Sequence, residues 1–222
     1  MKLRIRISKN ITPQAAIALQ KKLAPLVNET SELPSEIKNL VGCDATYFHG
    51  TTVAAAIRVD YEKLTCEQKK LVKEPTKFPY IPGLLAFREA PAVLKAIRAL
   101  RARSYVCLVD AHGLAHPRKF GLACFVGVAL DQPTIGVAKS LLYGSVRGDQ
   151  VLDKENHPMA EIVTLPVSGK SIYVSVGHKI SLKDAVEVVK HCSNRTGPVP
   201  IRLAHEEVTR EKWLIEKSNP AS

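Results

Sequence analysis

"YVCLVDAHGLAHPRKFGLACFVGVALDQPTIGVAK", residues 105–139, sets a short apolar run ending in Asp110 ahead of a basic, glycine-containing loop, an apolar helical stretch and a second apolar run. Strands that are apolar throughout are those covered on both faces of a sheet. The order buried strand, polar loop, helix, strand is that of an α/β unit, so PTIGVAK is expected to lie parallel to YVCLVD.

The flanking sequence extends this core. Upstream, Val93, Leu94, Ile97 and Leu100 recur at helical spacing, which predicts a helix over roughly 90–103. Farther upstream, LVGCDATYF and TTVAAAIRVDY flank His49 and Gly50, the pattern of an antiparallel hairpin with two largely buried strands. Residues 12–27 open with Thr12 as cap and Pro13 in the first turn of a helix, with Ile17, Leu19 and Leu23 as its apolar stripe. Downstream, AEIVTLPV and SIYVSVG, joined by Ser168 and Gly169, read as two further strands. SLKDAVEVVKHC, capped by Ser181 with Asp184 three residues on, and IRLAHEEVTREKWLIEK read as closing helices. The expected fold class is α/β, a central mixed β-sheet flanked by helices, with residues 1–222 forming a single domain.

Lys and Arg number 32 against 21 Asp and Glu, a net charge of +11, which suits an acidic partner such as nucleic acid or, with no partner, a solvated basic surface. The Lys and Arg of the first helix and of the 95–103 stretch are candidates for contacts to a phosphate backbone. Cys43, Cys66, Cys107, Cys124 and Cys192 are odd in number and widely spaced, so they read as reduced residues rather than a disulfide framework or zinc site. MKLRIRISKN carries no apolar leader core and no run reaches membrane-spanning length; a cytoplasmic protein with no membrane partner is expected.

Three acids stand out. Asp44 sits inside the apolar LVGCDATYF and Asp110 ends VCLVD, positions where an ionised carboxylate costs several kcal/mol unless compensated. If the two strands are neighbours, these acids meet at one sheet edge and could hold a hard divalent cation, with Glu89, read as lying just before a helix with Pro91 in its first turn, as a third ligand. Each could instead cap a helix or bond to a loop. His116 and Lys139 could orient water, neutralise phosphate charge or carry a proton, or could simply tie a loop and face solvent. His205 on the last helix could reach a metal or be structural. The glycines Gly113 and Gly121 match no dinucleotide or P-loop fingerprint.

As a set, GCDATY, PYIPGLLAFREAP, VDAHGLAHPRKFGLA, PTIGVAKS and VSVGHKISL resemble endonuclease V, the deaminated-base repair nucleases with a ribonuclease H-like fold, over residues 40–205. The resemblance implies Asp44, Glu89 and Asp110 as catalytic acids holding Mg²⁺ or Mn²⁺, with His205 at a fourth metal-site position and His116 and Lys139 as a further catalytic pair. It implies Tyr80 as a wedge filling the space left by a flipped base, and Pro82, Gly83, Leu85, Gly113, Gly121 and Leu142 in the segments of the lesion pocket. The implied partner is DNA containing deaminated bases, single- or double-stranded, chiefly hypoxanthine, bound by a monomer. The implied cut is at the second phosphodiester 3′ to the lesion, leaving 3′-hydroxyl and 5′-phosphate ends. Inosine-containing RNA, or a branched or structured nucleic acid cut by another ribonuclease H-like nuclease, are the alternatives. Two departures stand out: the family's Asp-Gly-Gln-Gly is here Asp110-Ala111-His112-Gly113, and Phe125 replaces a common His.

Overall fold

The computed structural model describes Ile5 and residues 10–218, so the MKLRIRISKN stretch lies almost wholly outside the described residues. Helix α1 spans Pro13–Leu23 and continues as a 3₁₀ turn, Ala24–Leu26; the Thr12 hydroxyl accepts from the Ala15 N–H at 3.2 Å, the cap its sequence anticipates. The strands β1 (Asn39–Phe48) and β2 (Thr51–Asp60) form the expected hairpin. His49 and Gly50 both have positive φ, 41° and 76°, as a two-residue turn matched to strand twist requires.

The chain then forms β3 (Cys66–Pro75), α2 (Leu85–Ala99), β4 (Val106–Val109), α3 (Leu122–Leu130) and β5 (Thr134–Ala138). These lead to β6 (Ser145–Arg147), β7 (Gln150–Leu152), β8 (Pro158–Thr164), β9 (Ser171–His178), α4 (Leu182–His191) and α5 (Val199–Ser218). One nine-stranded sheet has the order β3-β2-β1-β4-β5-β9-β8-β7-β6. β4 is parallel to both β1 and β5 and the other pairings are antiparallel, a mixed sheet of ribonuclease H-like type. β4 and β5 are buried at every residue, and α3 is buried all round, as an apolar helix in a layered core must be. Helix α5 crosses β1 so closely that a Cβ on Gly42 would lie 2.1 Å from the Pro200 carbonyl oxygen. No described helix is long and apolar enough to cross a membrane. All five cysteines are free; four are buried and Cys66 is exposed.

Two local expectations are corrected, and one strand is added. The buried stripe of α1 is Ala16, Gln20 and Leu23, with Ile17 and Leu19 only half-buried. β3 has no counterpart among the expected elements: CEQKKLVKEP is a Lys-rich edge strand, a composition that protects a free edge from pairing and hides its strand character. Helix α2 begins at Leu85 and ends at Ala99, which places Glu89 inside the helix rather than before it, and Pro91 in the interior rather than the first turn. The helix starts early because the Leu84 N–H donates to the Ile81 carbonyl at 2.9 Å and the Phe87 N–H to the Leu84 carbonyl at 3.1 Å. That starts the helix six residues ahead of the proline that looked like its start.

Candidate active site

The sheet register brings the acids together. β1 and β4 pair in parallel as Leu40 with Val106 through Cys43 with Val109, and one further step along both strands places Asp44 beside Asp110. The Asp110 N–H donates to the Cys43 carbonyl at 3.0 Å, carrying the ladder to that step. Gly42 faces Pro200 of α5, and by strand alternation so does Asp44, two residues on. His205, one and a half turns further along α5, therefore meets it, its Nδ1 donating to Asp44 Oδ2 at 2.8 Å. Lys139, just past β5, donates to Asp110 Oδ2 at 2.7 Å.

Ligand atoms of Asp44, Asp110 and His205 all lie within 4.8 Å of one another. Glu89 stands outside that tight group but lines the same cavity of about 220 Å³, together with Leu85. Burial pushes the Glu89 carboxyl up to about 8, and the nearby Asp44 adds to the shift. Asp44 is likewise raised, first by burial and then by Asp110, with the His205 hydrogen bond opposing. Three carboxylates and an imidazole, with Asp44 and Glu89 raised in part by neighbouring negative charge, suit a hard divalent cation, whose charge would relieve that repulsion. The oxygen-rich donor set fits Mg²⁺ or Mn²⁺ better than a softer metal.

A second cavity, about 250 Å³, opens beside the first, and Leu85 lines both. Its walls include Tyr80, Pro82, Gly83, Gly121 and Leu142. Tyr80 is 70% exposed and Leu142 42%, large apolar surfaces that a packed fold alone does not require. Ile81-Pro82-Gly83-Leu84 is a turn with Pro in its second place and Gly83 at φ +78° in its third, the left-handed position only glycine enters cheaply.

The Gly83 carbonyl accepts three hydrogen bonds: from Arg118 Nη2 at 2.6 Å, His116 Nε2 at 2.9 Å and Gln20 Nε2 at 3.1 Å. His116 Nδ1 accepts from the Arg118 N–H at 3.1 Å, which fixes the tautomer with the proton on Nε2. Burial also drives its pKa down to about 4, so the ring is neutral and both nitrogens are engaged. The structure places the His116 ring in the wall of the Tyr80 cavity rather than the acid cavity, where it ties a loop. Gly113 is placed elsewhere. It lines neither cavity; a Cβ there would meet the Val176 carbonyl oxygen at 2.0 Å, so it is glycine for packing against β9.

Sequence reasoning missed Gln20, which is fully buried. It also donates to the Phe120 carbonyl at 2.9 Å and accepts from Arg118 Nε at 2.6 Å. The available signal was a polar residue in the stripe Ala16, Gln20, Leu23. Gln20→Ala is expected to destabilise the fold by about 2–4 kcal/mol, since it strips partners from a buried carbonyl and a guanidinium, and to loosen Tyr80. Thermal unfolding together with limited proteolysis at the Tyr80 loop checks both effects. Of the departures, Ala111 and His112 line the Tyr80 cavity, while Phe125 is buried edge-on between Phe87 and Phe120 at 5.9 and 6.0 Å, an aromatic core contact in place of a polar one.

The family model described as Endonuclease V matches residues 21–206. The endonuclease V of Desulfurococcus amylolyticus is 41% identical over 216 residues, 91% of this chain and 96% of the relative. That of Thermus thermophilus is 38% identical over 210 residues, 89% and 92% of the two chains. Among solved structures, endonuclease V from Streptomyces avermitilis superposes with a TM-score of 0.86 at 31% identity, covering 98% of this chain and 100% of that one. Endonuclease V from Ciona intestinalis, solved with a 24mer DNA containing an inosine followed by a ribo-adenosine, gives 0.82 at 27% identity over 90% and 96%. Relatives of this kind imply a nuclease. A match running through the strands that carry Asp44 and Asp110 and the helix that carries His205 leaves one assignment: the chain belongs to the endonuclease V family.

Proposed function

We propose that this protein is a divalent-metal-dependent endonuclease that reads a deaminated base, chiefly hypoxanthine, in DNA and hydrolyses the second phosphodiester on its 3′ side. The observation that carries the reading is the β1–β4 register, which aligns Asp44 with Asp110 beside the cavity rimmed by Tyr80. We further read residues 1–222 as one domain acting as a cytoplasmic monomer.

A base stacked in a duplex is out of reach and must be turned out, at a cost of about a few kcal/mol that is least where pairing is poor. Tyr80, on a loop stiffened by Pro79 and Pro82, fills the gap. The Gly83 carbonyl, gripped by Gln20, His116 and Arg118, keeps that loop in place, so His116 acts as a positioning residue. Hypoxanthine presents O6 as an acceptor where adenine presents an amino group. A backbone N–H facing this cavity would donate to the first and leave the second opposed by a donor, which makes discrimination large. Leu85 and Leu142 form the wall against guanine's 2-amino group.

Asp44, Asp110, Glu89 and His205 would hold Mg²⁺, or Mn²⁺ in its place. The bound cation would polarise a phosphoryl oxygen, make water a better nucleophile and stabilise the leaving 3′ oxygen. Lys139, ion-paired to Asp110, lies where its ammonium can turn to the phosphate and offset its charge. Cutting of an inosine-containing strand against its adenine twin, with Mg²⁺ and with EDTA, tests the reading; equal cutting of the two strands overturns it. The ribo-adenosine in the strand bound by the Ciona protein makes inosine-containing RNA the second substrate to compare.

Metal linkage offers an independent check. The folded-state pKa of Glu89 is raised, so its contribution to stability is full below its ordinary value of 4.5 and is lost as pH rises through about 8. The metal-free protein is thus penalised at alkaline pH, and a cation at the acids removes the penalty. Mg²⁺ is expected to raise Tm by roughly 5–10 °C more at pH 8.5 than at pH 5, as read by calorimetry. A shift independent of pH would place the cation elsewhere.

A further inference from the structure

On the far side of the acids from the Tyr80 cavity lies a larger one, about 470 Å³, and Asp110, Lys139 and His205 line both it and the acid cavity. Its floor is apolar and buried, formed by Val137 at the end of β5, Leu165, Ile172 on β9, Pro198 and Ile201. Its rim is cationic: besides Lys139 it carries Lys170, from the turn between β8 and β9, and Arg202, from the first turn of α5. Asp110, already facing Lys139, is its one acid. Arg202 Nη1 is steadied by Glu206 at 2.5 Å, and its Nε is buried with no hydrogen-bond partner among the described residues.

An apolar floor beneath a cationic rim suits a ligand with a flat apolar face and an anionic end, and the volume admits one nucleotide. Its continuity with the acids decides which nucleotide. A strand that places one base in the Tyr80 cavity and its backbone across Asp44 and Asp110 must leave on this side. We propose that this cavity binds the nucleotide across the cut from the lesion, its base on the Ile172–Ile201 floor, and that once the scissile bond is broken the 5′-phosphate left on that nucleotide moves from the acids to Lys170 and Arg202. The proposal rests on the reading above, in which the far fragment carries that 5′-phosphate. It adds a downstream subsite that takes any base, because the floor under the base is apolar.

The probe is a fluorescent deoxyoligonucleotide free of inosine, bearing either a 5′-phosphate or a 5′-hydroxyl, titrated with full-length protein and followed by anisotropy. The parent is expected to bind the 5′-phosphorylated form about tenfold more tightly, as charge-assisted hydrogen bonds to a terminal phosphate require. Lys170→Gln and Arg202→Gln should each erase most of that preference while leaving the Tm and the affinity for an inosine strand ending before the cut at parental values. Equal binding of the two forms by the parent overturns the proposal, as does a preference that survives both substitutions. The truncated inosine strand against its adenine twin reports separately on lesion reading: loss of that discrimination sinks the proposed function, whereas its survival without a 5′-phosphate preference sinks only the downstream subsite. Occupation of the cavity by a protein segment would appear as unaltered anisotropy for both oligonucleotides.

Discussion

Asp110→Asn is expected to lower cleavage of an inosine strand by at least about 10³-fold, near 4 kcal/mol of transition-state stabilisation, without unfolding the protein. The side chain is nearly isosteric, and its backbone N–H keeps the bond to the Cys43 carbonyl. Removing the charge takes away a carboxylate that raises both Asp44 and Glu89, so the metal-free variant should melt at the parental temperature or above it. The gain in Tm with Mg²⁺ should largely vanish. Affinity for the inosine strand in EDTA should hold within about threefold, since no lesion contact is touched and one charge that repels phosphate is gone. Retention of cleavage within tenfold of the parent would falsify the assignment of Asp110. Equal losses of cleavage and of metal-free binding would point instead to a disturbed fold.

Tyr80→Ala is expected to leave stability within about 0.5 kcal/mol, because the ring is 70% exposed and packs little of the core. Its cost should fall on the substrate. Stacking of an aromatic ring on a base is worth about 1–3 kcal/mol, so the ratio of kcat/KM for inosine over adenine strands should fall about 10- to 100-fold. Tyr80→Phe should keep most of the ratio, since the ring and not the hydroxyl fills the gap. An unchanged ratio in the alanine variant would remove Tyr80 from lesion reading. A large drop in Tm would mean that its exposure misrepresents its packing.

Much of this was legible from residue patterns. An aspartate in an apolar strand is conspicuous because an ionised group there needs compensation, and both Asp44 and Asp110 were visible on that ground alone. The His49-Gly50 turn, the Thr12 and Ser181 caps and the buried β4–α3–β5 unit follow from interactions within a few residues, and all are present. The failures share a different cause. β3 has the composition of a connector and is a strand only because the edge of β2 is there to pair with it. Glu89 lies inside α2 because the Ile81–Leu84 turn, not Pro91, starts the helix. Gly113, which read as a ligand-facing glycine, is shaped by the Val176 carbonyl of a strand far along the chain.

The amino-acid sequence by itself therefore determined which segments are strands and helices in the core, which acids needed a partner, and, through its motifs, the family. Tertiary structure alone decided who those partners are. Asp44 meets His205 across 161 residues of chain, Asp110 meets Lys139 across 29, and Gly83 is held by Gln20 across 63 and by His116 and Arg118 across 33 and 35. Local propensity carries no information about such pairs. They are set by strand register, where one step of slip would turn Asp44 to the opposite face of the sheet, and by the close crossing of α5 over Gly42, which brings His205 to the acids.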